Sequence, residues 1–480
     1  MVNGFWGRGV ELAKLRSDLA EVRRTGTGRM VAMRGRRQSG KSRLVAEFVE
    51  NAKVPYLFTT AVKSASTRVQ METVMRDMDA SRVALPQRDV AFAAPVASWA
   101  DLFARLGLAV GDKPAVVVLD EFPWAVEGDR TLEGVLQNAW DRTLEGLPIL
   151  LILVGSDLAM MQRLSEHDRP LYGRALERSI SPLSPRGVAE ACGGERNPVD
   201  LLDVYLATGG YPRLVTEASR HSSAKRFVKS QLGDGSSPLL VTGQRVLSAE
   251  FPDGVAARAV LEAIGAMEVG HGTFASTVAR LGGDDPSRGT QVTRALETLQ
   301  AKQLIDIDVP VGETLKSRRR RYRITDPYLR FWFRFCAPEL AHIERGRADL
   351  ALDAYDRGYL PWRGRAIEPI VQGAVNRLAG LRGGGFSGVE TVGSWWDRTN
   401  AHEYDFVGAD RNGSTRWVGS IKWRTGRPMS ASDSSALAVA RLTIPGAENA
   451  KLLAVCPAGV SDEAGFDRVL TAADILNAFP

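Results

Sequence analysis

Residues 29–42 read RMVAMRGRRQSGKS. Arg29 to Arg34 is a short apolar run with strand character, and Lys41 to Val49 opens a helical pattern. Between them, Gly35 to Ser42 satisfies G-x-x-x-x-G-K-[ST] at every fixed position. Glycines let the backbone curl so that successive N–H groups point inward, and the following helix N-terminus favours an anion. The stretch therefore reads as a phosphate cradle made by Gly35, Arg36, Arg37, Gln38, Ser39, Gly40, Lys41, Ser42 and Arg43. Lys41 is expected to reach the β- and γ-phosphates of ATP and Ser42 to ligate Mg²⁺. A chance match in a chain rich in Gly and Arg is the competing account; the strand–loop–helix context argues against it.

Further along, Val116 to Phe122 reads VVVLDEF, a β-branched run that ends in two acids. Asp120 is expected to hold Mg²⁺ and Glu121 to orient or deprotonate the attacking water. The apolar run Pro148 to Gly155 ends in Ser156, the candidate sensor of the γ-phosphate. Arg174 and Arg178 precede the last expected strand, Ser179 to Leu183, and are candidate arginine fingers; a solvated arginine is the plain alternative. Gly209-Gly210-Tyr211-Pro212 punctuates a helical region, with Pro212 placed near the nucleotide and a simple helix-breaking turn as the alternative. Buried strands alternating with helical patterns predict a parallel sheet covered on both faces.

Length and composition set the frame. The 480 residues exceed a single core. Apolar content of 44% and charged content of 25% are those of an ordinary globular protein. No apolar run approaches the ~20 residues that span a bilayer, and the expected location is the cytoplasm. Three scattered cysteines and five histidines show no metal-ligand or redox spacing. The predicted fold is multidomain α/β: a P-loop NTPase core over 1–190, a helical lid over 191–250, a winged helix over 251–335 and a C-terminal α/β domain over 336–480.

These motifs together resemble the prokaryotic ATPase family, abundant in archaea and close to the STAND class of AAA-like NTPases. FWGRGVELAKL (Phe5 to Leu15) is similar to the family's Phe-x-Gly-Arg-x-x-Glu-Leu opening, which implies that Arg8 lies near the nucleotide. The phosphate loop and the Val-Leu-Asp-Glu-Phe, Val-Gly-Ser and Gly-Gly-Tyr-Pro segments follow in family order. The resemblance implies ATP binding, a winged helix, and a C-terminal domain similar to PD-(D/E)XK nucleases.

Lys316, Arg318, Arg319, Arg320, Arg321 and Arg323 fall between two expected strands and form a basic wing. Such a cluster suits phosphate contacts with double-stranded DNA, with a solvated loop or a protein-binding face as alternatives. In the C-terminal part, Glu368 on a helix and Asp405 on a strand are the candidate Mg²⁺ ligands, with Lys422 beside the nucleophile. Ser420 stands where that pattern expects Glu, which puts cleavage in question. Two functional classes follow: an ATP-hydrolysing, DNA-associated protein, or a STAND-like nucleotide-dependent switch that binds a protein partner. The lid and the finger candidate are compatible with a homo-oligomer.

Overall fold

The computed structural model describes residues 5–164, 166–193, 195–251, 254–283, 285 and 287–480. The chain divides into two compact units, Arg8–Pro182 and Leu183–Pro480, the latter joined by residues 5–7.

The first unit is built on five parallel strands: β1 (Arg29–Arg34), β2 (Tyr56–Thr60), β3 (Ala115–Asp120), β4 (Ile149–Gly155) and β5 (Ala175–Ser179). Their order is β2-β3-β4-β1-β5, all pairs parallel. β3 and β4 are buried at every position, which is why they read as unbroken apolar runs. On one face Val117, Leu119, Leu151 and Leu153 pack with Val74, Phe103, Leu106 and Leu136 from three covering helices. Helices Gly9–Thr25 and Lys41–Ala52 also contact the sheet. The expected last strand, Ser179 to Leu183, is shifted: β5 ends at Ser179. β5 is an edge strand, half-exposed and polar (ALERS), so no apolar run marked it.

The second unit begins with five helices between Pro185 and Glu250. Helices Val255–Gly265, Phe274–Arg280 and Arg288–Ala301 follow, then the antiparallel pair β6 (Ile305–Asp308) and β7 (Arg321–Ile324). These elements occupy the segment, 251–335, for which a winged helix is expected from sequence. After helices Ala348–Ala366 and Glu368–Ala379 come β8 (Thr391–Trp396), β9 (Glu403–Ala409), β10 (Thr415–Ile421), β11 (Lys451–Val455) and β12 (Arg468–Leu470). β8, β9 and β10 are antiparallel neighbours, and β10, β11 and β12 are parallel neighbours. The first of these two helices ends at Ala366, and the second begins at Glu368 after a break at Ile367. Pro369 has no N–H to donate and sits comfortably only in the first turn of a new helix.

The segments assigned from sequence to a lid, a winged helix and a C-terminal domain share an apolar cluster in the structure, and the C-terminal sheet adds a second one around Trp395, Val407 and Val418. A single apolar cluster runs from Leu202 and Tyr211 through Val260 and Leu299 to Phe406 and Leu453. Its centre is aromatic: Phe331 and Phe335 pack edge-on against Tyr355 and Trp362.

Candidate functional site

The carboxyl ends of the central strands meet at one edge of the first sheet. Register pairs Arg34 with Gly155, Leu119 with Leu153, and Thr60 with Asp120. In open parallel sheets this edge is where ligands bind. The loop after β1 turns through Gln38 (φ 64°) and Gly40 (φ 90°), left-handed positions that aim its backbone inward. A Cβ on Gly35 would stand 2.1 Å from the Ile180 carbonyl oxygen, so only glycine fits there.

Lys41 is buried, and its Nζ donates to the Gly35 and Arg36 carbonyls at 2.7 and 2.9 Å. Burial lowers its pKa to about 8, while Glu121 and Asp120 pull the other way. The exposed Ser42 hydroxyl donates to Asp120. Burial raises the Asp120 carboxyl above its ordinary value, and the Ser42 hydrogen bond opposes that rise. Asp120 also accepts the Glu121 N–H at 3.0 Å. Glu121 itself is left-handed (φ 51°), and its carboxylate accepts the Ser156 hydroxyl at 2.8 and 3.1 Å. Ser42, Asp120, Glu121 and Ser156 thus form one connected set, with the Lys41 ammonium held beside it on the loop carbonyls. Their donors and acceptors match what a phosphate chain with Mg²⁺ requires: an ammonium, a hydroxyl and paired carboxylates.

Around them, Arg37 is exposed and lies over the Trp124 ring at 5.8 Å. Arg43 pairs with Glu47 at 3.4 Å. Sequence reasoning missed Thr60, whose hydroxyl lies 3.5 Å from Asp120. Its signal was its place at the end of the neighbouring strand.

Four other expected residues make contacts of their own. Arg8 is buried, and its guanidinium holds the Ser39 carbonyl at 2.6 Å, the Ser181 carbonyl at 2.8 Å and Glu11 at 2.9 Å. It braces the phosphate loop from its backbone. Arg174 forms a bidentate pair with Asp141, both bonds 2.7 Å, and bonds the Pro170 carbonyl. Arg178 binds the buried Asp18 at 2.6 Å. Both finger candidates are therefore engaged within their own unit, because distant acids unseen by local reading claim them. Pro212 is the first residue of helix Pro212–Ser219. There Gly210 (φ 74°) packs on the Leu183 carbonyl, and the Tyr211 hydroxyl donates to Asp326 at 2.6 Å.

The basic wing divides. Lys316, Arg318 and Arg320 are exposed. Arg319 instead binds Glu313 and the Trp396 carbonyl. Arg321 is 5% exposed; it binds Glu403 at 3.2 Å and Asn400 at 3.0 Å and lies over the Trp396 ring at 4.1 Å. Arg323 pairs with Asp306 and Asp308 at 3.1 and 2.8 Å. Three of the six basic side chains are thus bound internally.

Glu368 and Asp405 do come together, but with Arg365 between them. Its Nη1 lies 3.2 Å from Glu368, 3.3 Å from Glu403 and 3.6 Å from Asp405. Lys422 is exposed beyond the end of β10, and Ser420 lies on that strand. Among the described residues no group of three or more His, Cys, Asp or Glu side chains could hold a metal ion. The expected Mg²⁺ centre does not fit these side chains: the acids are committed to guanidinium groups.

Comparison with known proteins agrees with the first site. Residues 4–153 match the AAA ATPase domain, and residues 332–435 match a family described as archaea bacterial proteins of unknown function. The fold is multidomain α/β, a P-loop NTPase-type parallel sheet followed by a mixed-sheet unit, and the first of these is similar to the AAA ATPase domain. The uncharacterized protein MJECL04 of Methanocaldococcus jannaschii is 23% identical over 404 residues, covering 82% of each chain. The Walker-type ATPase of Pyrococcus abyssi superposes with TM-score 0.47 at 18% identity, covering 69% of this chain and 96% of that one. The ORC2 protein of Aeropyrum pernix, in ADPNP–ADP complexes, gives TM-score 0.43 at 16% identity over 75% and 98% of the two chains. No described helix is long and apolar enough to cross a membrane.

Proposed function

We propose that the chain hydrolyses ATP at the site formed by Lys41, Ser42, Asp120, Glu121 and Ser156, and that it associates with double-stranded DNA through exposed basic residues of the wing. The observation that supports hydrolysis is the pairing of Glu121 with Ser156 beside an Asp120 already bonded to Ser42. In this reading the Lys41 ammonium leaves the loop carbonyls for the β- and γ-phosphates. Ser42 and Asp120 would hold Mg²⁺, which would supply neutralisation of charge on the phosphates. Glu121 accepts a proton from the attacking water once Ser156 releases its carboxylate, and the freed Ser156 hydroxyl turns to the γ-phosphate. Arg8 contributes indirectly, by fixing the Ser39 carbonyl.

Lys316, Arg318 and Arg320 supply the DNA contacts in this reading, while Arg319 and Arg321 are already occupied. That same occupation, with Arg323 also paired, favours a second reading, a nucleotide-dependent switch for a protein partner, since it halves the charge left for phosphate. ATP hydrolysis with Mg²⁺, measured with and without double-stranded DNA at low and moderate salt, separates the two. DNA-stimulated turnover that fades with salt, and weakens in Arg318→Ala/Arg320→Ala, supports DNA association. Turnover indifferent to DNA at low salt selects the switch, and no turnover at all removes the hydrolysis reading.

A further inference from the structure

The C-terminal acids converge on a cation that the protein itself supplies. Glu368 opens helix Glu368–Ala379, whereas Glu403 and Asp405 lie on β9. These two elements bring three carboxylates to a single point. The Nη1 atom of Arg365 occupies it, within 3.6 Å of an oxygen from each acid. The other edge of the same guanidinium, at Nε, is 3.5 Å from Glu268. A second guanidinium closes the opposite side of Glu403, where Arg321 approaches at 3.2 and 3.3 Å. His271 stands 3.7 Å from Glu403 as well. Asp405 has one more commitment, since its Oδ2 accepts the Ile421 N–H at 3.1 Å.

The electrostatics follow the geometry. Burial raises Glu368 well above the ordinary carboxyl range, the Asp405 charge adds to this, and Arg365 opposes it. Glu403, despite the desolvation that works against it, is held below its usual value by Arg321, His271 and Arg365. A divalent ion would have to enter beside two fixed positive groups and displace guanidinium bonds already made, with Ser420 where a further carboxylate is needed.

We propose that Arg365 is the resident cation of this carboxylate set, and that the C-terminal sheet uses its acids to fasten arginines instead of binding a catalytic metal. Through Glu403 the set holds Arg321 of β7, so the acids that resemble a nuclease centre join β9 to the β6–β7 hairpin. The inference is independent of the nucleotide site, and its failure would leave ATP hydrolysis untouched.

The test is Mn²⁺ titration of the nucleotide-free full chain, followed by electron paramagnetic resonance, alongside a Mn²⁺-dependent cleavage assay on single- and double-stranded DNA. The wild-type chain is expected to show no cleavage and no tight site that depends on Asp405. A folded Arg365→Ala chain is expected to unfold at lower urea concentration than the wild type, because Glu368, Glu403 and Asp405 lose their shared cation. A wild-type site removed by Asp405→Asn, or cleavage by the wild type that Asp405→Asn abolishes, overturns the proposal. So does a folded Arg365→Ala chain as resistant to urea as the wild type. If Arg365→Ala fails to fold, the wild-type and Asp405→Asn measurements still decide the matter.

Discussion

The molecule carries two sets of acids that look alike in one dimension, and their cations separate them. At the strand edge of the first unit, Asp120 and Glu121 face Lys41, whose ammonium rests on two backbone carbonyls. Those bonds are local and can be traded for phosphate oxygens without leaving a charge unpaired. In the second unit, Glu368, Glu403 and Asp405 face Arg365 and Arg321, which bond the acids themselves. Giving up those bonds strands buried charge, which is costly. An acid cluster is a reaction centre only where its neutralising partner can leave.

This contrast can be broken or sharpened by substitution. The largest effect belongs to Glu121→Gln, which should lower kcat by roughly 10²–10⁴-fold, the range of general-base catalysis, while ATP binding stays intact. Equal turnover in the two proteins would remove Glu121 from the mechanism. Lys41→Ala should weaken ATP binding by roughly 2–5 kcal/mol, the cost of truncating one partner of a buried charge pair. Calorimetry with ATP reads this directly, and an unchanged Kd would show that the loop does not hold phosphate.

Arg321→Ala should cost about 1.5–3 kcal/mol, typical of hydrogen bonds to charged groups, in urea unfolding of the full chain. A change near zero would mean that the second set is as replaceable as the first. The smallest effect comes from pH. Free Lys41 titrates at about 8, below its ordinary value because of burial. Bound phosphates favour its charged form, so binding takes up a proton above that pH. ATP affinity should then fall with rising pH above about 8, by up to about tenfold per unit for a single linked proton. The same depressed pKa makes the nucleotide-free fold gain stability between about 8 and the ordinary lysine value, since the unfolded chain binds the proton more tightly there. A flat binding profile up to pH 9.5 would contradict the assignment.

The first site was legible because its requirements are local. Gly35 to Ser42 is contiguous, and its backbone shape demands glycine at Gly35 and Gly40. Asp120 and Glu121 follow an apolar strand that announces itself. The second site was half legible: Glu368 and Asp405 were found, but Arg365 was not read as their partner. Nothing in the spacing of Arg365 and Asp405 reveals that a helix end delivers one to the other. Asp141 and Asp18, the partners of Arg174 and Arg178, were invisible for the same reason, since they are neighbours only after folding. The domain divisions drawn from composition could not anticipate an apolar cluster that crosses them.

That cluster bears on how the second unit comes apart. Phe331, Phe335, Tyr355 and Trp362 bury one another across the place where a boundary was drawn. Burial of this kind is cooperative, so residues 183–480 should melt in a single transition. A truncation near residue 336 would not release a shorter domain; it would leave two fragments, each with an exposed aromatic face and a tendency to aggregate.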